Sequence, residues 1–215
     1  PIIDAVVISH DHYDHLDTKT IKSLKSSAKR FIVPLGVGSH LEKWGVEKER
    51  ISELNWWDSL SIKHITFHCT PARHFSGRRI KHQNETLWAS WAIKGKSHRL
   101  FYSGDTGYFE EFKNIGEKLG PFDIAVIQTG AYDSLWPDIH MFPSEVIQTY
   151  KDVNARKLIP VHWGTFNLAL HNWKEPALWL KLESESENIP VVFPKLNEQV
   201  FANDSIVFKE KEWFE

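Results

Sequence analysis

The sequence has little cysteine, little net charge and no long apolar run, and each shortage excludes a class of protein. The single cysteine, Cys69, cannot form a disulfide within the chain or build a cysteine-based zinc site. A formal net charge of −2 provides no broad positive surface, so nucleic acid is not an expected partner. No apolar run approaches the roughly 20 residues that span a bilayer, and we recognise no signal peptide. We therefore expect a cytoplasmic location.

The chain is long enough to form one packed domain. Of its 215 residues, 41% are hydrophobic, which is sufficient for a sizeable core. No repeat, low-complexity tract or linker rich in glycine and serine divides the chain, and we expect a single domain over residues 1–215. The ten tryptophans follow no fixed period, which favours core and pocket lining over a sugar-binding platform.

Strand and helix patterns alternate along the chain. Short β-branched or aromatic runs predict strands at Ala5–Ser9, Phe31–Val33, Ile62–Cys69, Leu87–Ile93, Arg99–Ser103, Ile124–Gln128, Lys157–Pro160 and Val191–Phe193. Helical apolar spacing predicts helices at Thr18–Ser26, Ser39–Trp44, Tyr108–Leu119, Ser144–Val153 and Glu175–Ser186. A hairpin turn at Gly95–Lys96 adds antiparallel pairing. Together these patterns predict a mixed, layered α/β domain.

Titratable residues crowd the end of the first predicted strand, in the segment AVVISHDHYDHLD. Alternate strand residues point to the same side, so His10 and His12 can leave the strand end together. The loop that follows can bring Asp14 and His15 beside them. Four crowded titratable side chains lose solvation and repel one another unless a cation compensates them. The segment therefore predicts a metal site.

Further junctions between a predicted strand and a loop carry side chains of the kind that bind metals: His74, Asp105, His140 and His162. Strand ends are rigid and loops allow irregular convergence, so such positions commonly build a site. By itself, His74 or His162 is more often a hydrogen-bonded pocket or surface residue, and the SGDTG segment around Asp105 is compatible with a simple turn. The cluster of His10, His12, Asp14 and His15 makes a metal-ligand role the favoured interpretation for these residues as well.

Seven nitrogen and oxygen ligands are then available: His10, His12, Asp14, His15, His74, Asp105 and His162. A structural zinc ion takes four ligands and closes its shell, whereas seven suit two zinc ions that share a bridging carboxylate. Asp105 is the natural bridge. We expect two zinc ions, with manganese or iron as alternatives.

The remaining histidines and the arginines carry weaker signals. Surface or core positions are expected for five histidines: His40, His64, His68, His82 and His98. A second pair, His171 and Glu175, could support the site or lie at the surface. Three arginines flank His74, namely Arg73, Arg78 and Arg79. Their guanidinium groups could hold a phosphate or carboxylate, or form ordinary surface salt bridges.

The first cluster, together with the segments TPARHFSGR, YSGDTGY, QTGAYDSLW, IHMFPSEV and VHWGTFNLALHNWKEP, resembles the metallo-β-lactamase-fold hydrolases. The similarity is greatest to the branch of N-acyl-phosphatidylethanolamine-hydrolysing phospholipase D and its bacterial relatives, and it covers nearly the whole chain. It implies an αβ/βα sandwich of two mixed sheets. Family members begin with several strands before the His-x-His-x-Asp-His loop, so we expect this chain to lack its N-terminal strands and to be the C-terminal part of a longer protein.

The resemblance also implies how the site is divided. One zinc ion would be held by His10, His12 and His74, and the other by Asp14, His15 and His162. Asp105 would bridge the two ions, and His140 would lie near the scissile group. We accordingly predict catalytic roles for Asp14, Asp105 and His140.

The implied activity is hydrolysis of a phosphodiester, most simply in a glycerophospholipid. The expected partners are a lipid or small-molecule substrate, a membrane surface contacted peripherally, and the missing N-terminal segment of the same protein. The metal motif does not separate attack on phosphorus from attack on carbonyl carbon, so a lactonase or esterase resembling ascorbate-6-phosphate lactonases stays open. Two further alternatives also stay open: a nuclease, which the slightly negative net charge disfavours, and a metal-binding module without catalysis.

Overall fold

The computed structural model describes residues 1–79, 83–203 and 212–214, and His82 lies outside them. The described residues form two β-sheets. The first has three parallel strands, in the order β1 (Val6–Val7), β2 (Phe31–Pro34) and β3 (Ile51–Leu54). The second is mixed, in the order β4 (Ser59–Ile62), β5 (Ile65–Thr70), β6 (Ser90–Lys94), β7 (Arg99–Tyr102), β8 (Ile124–Gln128) and β9 (Leu158–Val161). Strands β4 to β7 pair antiparallel, and β7 to β9 pair parallel.

The described residues form five α-helices, four between strands and the last after β9: α1 (Thr18–Leu24), α2 (Gly38–Lys43), α3 (Glu111–Leu119), α4 (Pro143–Asp152) and α5 (Glu175–Ser186). Their starts follow from local chemistry. The Asp17 carboxylate caps α1 by accepting from the Thr20 N–H at 2.7 Å. Proline is tolerated in the first turn of α4, where the Glu145 carboxylate also accepts from the Phe142 N–H at 2.9 Å. In the described ranges, no helix reaches the length and apolarity needed to cross a bilayer.

Three apolar clusters hold these elements in layers. One packs α1 and α2 against the first sheet, around Leu16, Phe31 and Leu41. Another packs α3, α4 and α5 against the second sheet. The third lies between the sheets and contains Ile32 and Trp91, whose indole N–H donates to Ile8 O at 3.0 Å. The order helix, sheet, sheet, helix is the expected αβ/βα sandwich; the single domain and the missing N-terminal strands stay predictions.

Several element boundaries differ from the sequence prediction. The predicted strand Ile62–Cys69 begins at the last residue of β4 and covers most of β5, and a turn at Lys63, whose φ is +55°, separates the two strands. Strand β3, which was not predicted, has the sequence ISEL, with polar residues at its two central positions. The predicted strand Val191–Phe193 is reduced to one bridge between Leu158 and Val191, because prolines precede and follow it and cannot donate to a ladder.

Candidate metal centre

The candidate ligands follow the ends of strands, as predicted. The loop after β1 carries His10, His12, Asp14 and His15, and the loops after β5 and β7 carry His74 and Asp105. His162 directly follows β9 and has a φ of +64°, which turns its side chain out of the strand direction. Their ligand atoms form two groups, and within each group all atoms lie within 4.8 Å of one another. We call these the histidine group (His10, His12, His74) and the mixed group (Asp14, His15, Asp105, His162).

In the histidine group, ring nitrogens face one another. His10 Nε2 lies 2.9 Å from His12 Nδ1, and His74 Nε2 lies 3.3 Å from the same atom. His74 Nδ1 lies 3.3 Å from Ile139 O, which can only accept, so Nδ1 carries the proton and Nε2 presents a lone pair. Burial lowers the pKa of His10 well below its usual value and that of His74 to about 3. Neutral imidazole is the form that binds metals.

In the mixed group, two carboxylates face two imidazoles. Asp105 Oδ2 lies 3.0 Å from His15 Nε2 and 3.2 Å from His162 Nε2, and Asp14 Oδ2 lies 3.4 Å from each of them. Burial would raise the pKa of Asp105, but His15 and His162 hold it well below its usual range. Burial would likewise lower the pKa of His15, but the two carboxylates raise it to about 10. In the metal-free protein, the negative charge of the two carboxylates is thus offset in part by the protonated His15 ring.

Asp105 also reaches the histidine group. Its Oδ2 atom lies 3.9 Å from His10 Nε2 and 4.0 Å from His74 Nε2. One buried carboxylate oxygen thus lies within 4.0 Å of four imidazole nitrogens, two from each group. This is the position that a bridging ligand would occupy, and the bridging role stays a prediction.

The donor set fits divalent metal ions. Three of its buried atoms have no hydrogen-bond partner among the described residues: His15 Nε2, Asp105 Oδ1 and His162 Nδ1. His15 Nε2 does lie close to Asp105, but the angle is not that of a hydrogen bond. An unsatisfied buried polar group costs about 1–3 kcal/mol, and imidazole and carboxylate are common ligands of first-row divalent ions. A bound cation would remove this cost at each atom that it contacts.

His140 lies beside the ligands, in the loop between β8 and α4. Within the part of the chain that the structure describes, it belongs to neither ligand group. Its ring centroid is 5.3 Å from that of His162, with the rings nearly parallel, and 5.3 Å from that of His74. Burial lowers the pKa of His140 to about 4, so the ring is neutral near pH 7. His140 therefore lies against one histidine of each ligand group, and the substrate contact expected of it stays a prediction.

The structure shows that Asp11, which the sequence reasoning passed over, anchors the ligand loop. Its Oδ1 accepts from the Gly77 N–H at 2.7 Å, and its Oδ2 lies 3.3 Å from His40 Nε2. Arg78 donates to Asp11 O and Leu16 O, both at 2.7 Å. Strand alternation could have indicated this role, because the Asp11 side chain must point away from the side that His10 and His12 share.

These contacts also change the interpretation of neighbouring residues. Arg78 holds the ligand loop, and Arg73 forms an ion pair with Asp138 at 2.8 Å, so both guanidinium groups are already engaged by loops. His171 Nε2 accepts from the Ala131 N–H at 3.0 Å, and the Tyr132 hydroxyl donates to Glu175 at 3.0 Å. His171 and Glu175, which the sequence left open between a supporting and a surface position, thus brace the loop after β8.

Removing the Asp11 carboxylate should weaken metal binding. We expect Asp11→Ala to raise the zinc dissociation constant about ten- to a hundredfold, the usual scale for a residue that orients metal ligands. The measurement is competition against a chromophoric chelator. Asp4→Ala is the matched control, because Asp4 forms only exposed ion pairs with Lys29 and Lys63. An unchanged affinity in Asp11→Ala would contradict the anchoring role.

A cavity of about 580 Å³ opens beside the mixed group. Asp14, His15 and His162 form its polar wall. Residues from the segment Trp163 to Trp173 also line it, and among them Phe166, Leu168 and Trp173 expose more than half of their surface to solvent. We call these three side chains the apolar lip. The candidate ligands therefore border a space large enough for a small organic substrate.

Comparison with known proteins agrees with this geometry. Residues 1–163 match the family described as the beta-lactamase superfamily domain. The chain is 50% identical over 204 residues to an uncharacterized protein of Mycobacterium tuberculosis (strain ATCC 25618 / H37Rv). The matched region covers 93% of this chain and 55% of that protein. It is 40% identical over 178 residues to N-acyl-phosphatidylethanolamine-hydrolyzing phospholipase D 1 of Caenorhabditis elegans, covering 77% of this chain and 50% of the worm protein.

The chain thus spans about half the length of these curated relatives. Among solved structures, Igni18, a metallo hydrolase from Ignicoccus hospitalis, superposes with a TM-score of 0.70 at 21% identity, over 88% of this chain and 75% of that one. The family match extends over most of the chain, and the sandwich carries its His/Asp cluster at the strand ends. The chain therefore belongs to the beta-lactamase superfamily and has the metallo-β-lactamase fold, with relatives named as N-acyl-phosphatidylethanolamine-hydrolyzing phospholipases D.

Proposed function

We propose that this chain carries the catalytic centre of a binuclear zinc-dependent phosphodiesterase that hydrolyses a glycerophospholipid. The observation that supports the two-metal centre is the position of Asp105, one oxygen of which lies within 4.0 Å of imidazole nitrogens from both ligand groups. The relatives named as phospholipases D support the choice of a phosphodiester.

Each ligand group would hold one ion. The histidine group would hold the first and the mixed group the second, with Asp105 contacting both. Bound there, two divalent cations would supply Lewis acidity towards the phosphoryl oxygen and activate a water nucleophile. Asp14 is more exposed than Asp105 and lies in the cavity wall, so its carboxylate would meet the water that enters. His140 would donate a hydrogen bond to the substrate phosphate or to the leaving oxygen.

The apolar lip supports a lipid substrate. Phe166, Leu168 and Trp173 line the same cavity as Asp14 and His162, so apolar and charged surfaces meet at one opening. Large apolar side chains left in water beside a polar site are typical of surfaces that bind lipid or membrane. A phospholipid presents a charged phosphodiester next to acyl chains, which matches this arrangement. Peripheral membrane contact through the lip is part of the proposal, and the cytoplasmic location expected from the sequence stays a prediction.

The lip should affect long-chain substrates selectively. We expect the double variant Phe166→Ser with Leu168→Ser to hydrolyse phospholipid vesicles about tenfold more slowly, since losing roughly 1.4 kcal/mol of apolar contact corresponds to a factor of ten. Hydrolysis of bis(p-nitrophenyl) phosphate, which has no acyl chain, should be unchanged. Leu196→Ser removes an exposed leucine that is not among the residues lining the cavity and serves as control. Equal losses on both substrates would remove the lip from lipid binding.

Metal analysis combined with a substrate panel tests the proposal as a whole. The purified protein is reconstituted with zinc, its metal content is measured, and it is assayed on phospholipids, lactones and simple phosphodiesters. We expect two zinc ions per chain and the fastest turnover on a phospholipid. Preferred turnover of a lactone would replace the phosphodiesterase by a lactonase. Two bound ions without turnover of any substrate would indicate a metal-binding module.

A further inference from the structure

A buried glutamine, Gln128, lies beside His140. It is the last residue of β8, its side chain is fully buried, and sequence reasoning assigned it no role. The end of its amide group faces three atoms: His140 Nδ1, Gly130 O and Met141 N. Glutamine amides are neutral and inert in hydrolysis, so a buried one beside a candidate catalytic histidine calls for an explanation in terms of hydrogen bonding.

The three neighbours fix the orientation of the amide. The Met141 N–H can only donate, so it faces the amide oxygen, which accepts at 2.8 Å. Gly130 O can only accept, so it faces the amide nitrogen, which donates at 3.2 Å. In this orientation the remaining amide N–H donates to His140 Nδ1 at 2.8 Å. In the opposite orientation the amide N–H would face the Met141 N–H, and the amide oxygen would face Gly130 O, so neither contact could be a hydrogen bond.

The orientation of the amide decides where His140 carries its proton. A ring nitrogen that accepts a hydrogen bond holds no hydrogen, so Nδ1 is bare and the proton of the neutral ring is on Nε2. Protonation of both nitrogens would set an Nδ1–H against the amide N–H. The contact therefore favours a neutral ring with a hydrogen-bond donor at Nε2.

We propose that Gln128 is a positioning residue that locks His140 in its Nε2–H tautomer and holds the ring between His74 and His162. The inference rests on the proposed function, because it takes His140 to be the residue that contacts the substrate. It narrows that role: a neutral ring locked in this tautomer stabilises a phosphate oxygen by a hydrogen bond, and it is not the acid that protonates the leaving oxygen. The same amide ties Gly130 to Met141, and thus fixes the loop segment on either side of the ring.

Nitrogen-15 NMR of the metal-free protein reads the tautomer directly. In the wild-type protein we expect the His140 Nδ1 resonance of an unprotonated nitrogen and the Nε2 resonance of a protonated one. Gln128→Glu is close to isosteric but offers only acceptors, so it should move the proton to Nδ1. Gln128→Met keeps the length of the side chain without hydrogen bonds, and it should give a mixture of tautomers.

Kinetics of the zinc-loaded protein supply the second measurement. We expect Gln128→Glu to keep its zinc content and KM and to lower kcat on a phosphodiester about ten- to a hundredfold, with a smaller loss in Gln128→Met. A wild-type spectrum with the proton on Nδ1 overturns the inference, and that measurement requires no variant to fold. If the tautomer is as expected but His140→Ala retains full turnover, the Gln128 contact stands and the proposed role of His140 fails.

Discussion

Asp105→Ala should abolish hydrolysis and reduce the bound metal from two ions to at most one. The carboxylate belongs to the mixed group and also reaches the histidine group, and one of its oxygens lies within 4.0 Å of four imidazole nitrogens. Without it, the histidine group loses the carboxylate next to it, the mixed group keeps only that of Asp14, and the two ions would repel one another without a common ligand. We expect a loss in kcat/KM of about a thousandfold or more, at least the scale of removing one electrostatic group from an active site.

The fold should survive this change, because Asp105 lies in a loop beyond β7 and outside the three apolar clusters. Metal analysis, kinetics and thermal unfolding of the metal-free variant separate a lost site from a lost fold. Asp4→Ala, at an exposed ion pair, should retain both ions and full activity. An Asp105→Ala protein that still binds two ions and turns over substrate would contradict the bridging role and the two-metal proposal together.

The ligand loop could be predicted from the sequence because most of its candidate ligands are close neighbours along the chain. Six residues from His10 to His15 hold four of the seven candidate ligands, and strand alternation alone places the first two on one side. Helices α4 and α5 were predicted to within a residue or two for a similar reason, since Pro143 and Pro176 mark their first turns. The three distant ligands, His74, Asp105 and His162, were added because each follows a predicted strand, and the division of the seven ligands between two ions came from the resemblance to a known family.

The residues that reasoning from the sequence missed act through long-range contacts. The Asp11 carboxylate contacts Gly77 and His40, and the orientation of the Gln128 amide is fixed by backbone atoms of Gly130 and Met141. The sequence around Asp11 or Gln128 does not reveal these contacts. Strand β3 was missed because its polar residues match no apolar period; Glu53 instead accepts from the Gly38 N–H at 2.8 Å and fastens α2. Such contacts depend on the folded arrangement of the loops.

His140→Ala should keep both metal ions and lose about a hundredfold in kcat on a phosphodiester, the usual scale for one such group. The ring lies against His74 and His162 but within the described residues joins neither ligand group, so its removal leaves the donor set intact. A hydrogen bond from Nε2–H to a phosphate oxygen strengthens as negative charge grows on that oxygen in the transition state. The loss should therefore appear in kcat more than in KM.

The comparison needs a second histidine variant and a second substrate. His64→Ala removes an exposed histidine from the turn between β4 and β5 and should change neither metal content nor kinetics. A loss of metal in His140→Ala would make the residue a ligand, and undiminished phospholipid turnover would remove it from the mechanism. A defect confined to a lactone substrate would point to carbonyl carbon as the site of attack. Because charge builds on oxygen in both reactions, only the pairing of one variant with both substrates distinguishes which oxygen His140 stabilises.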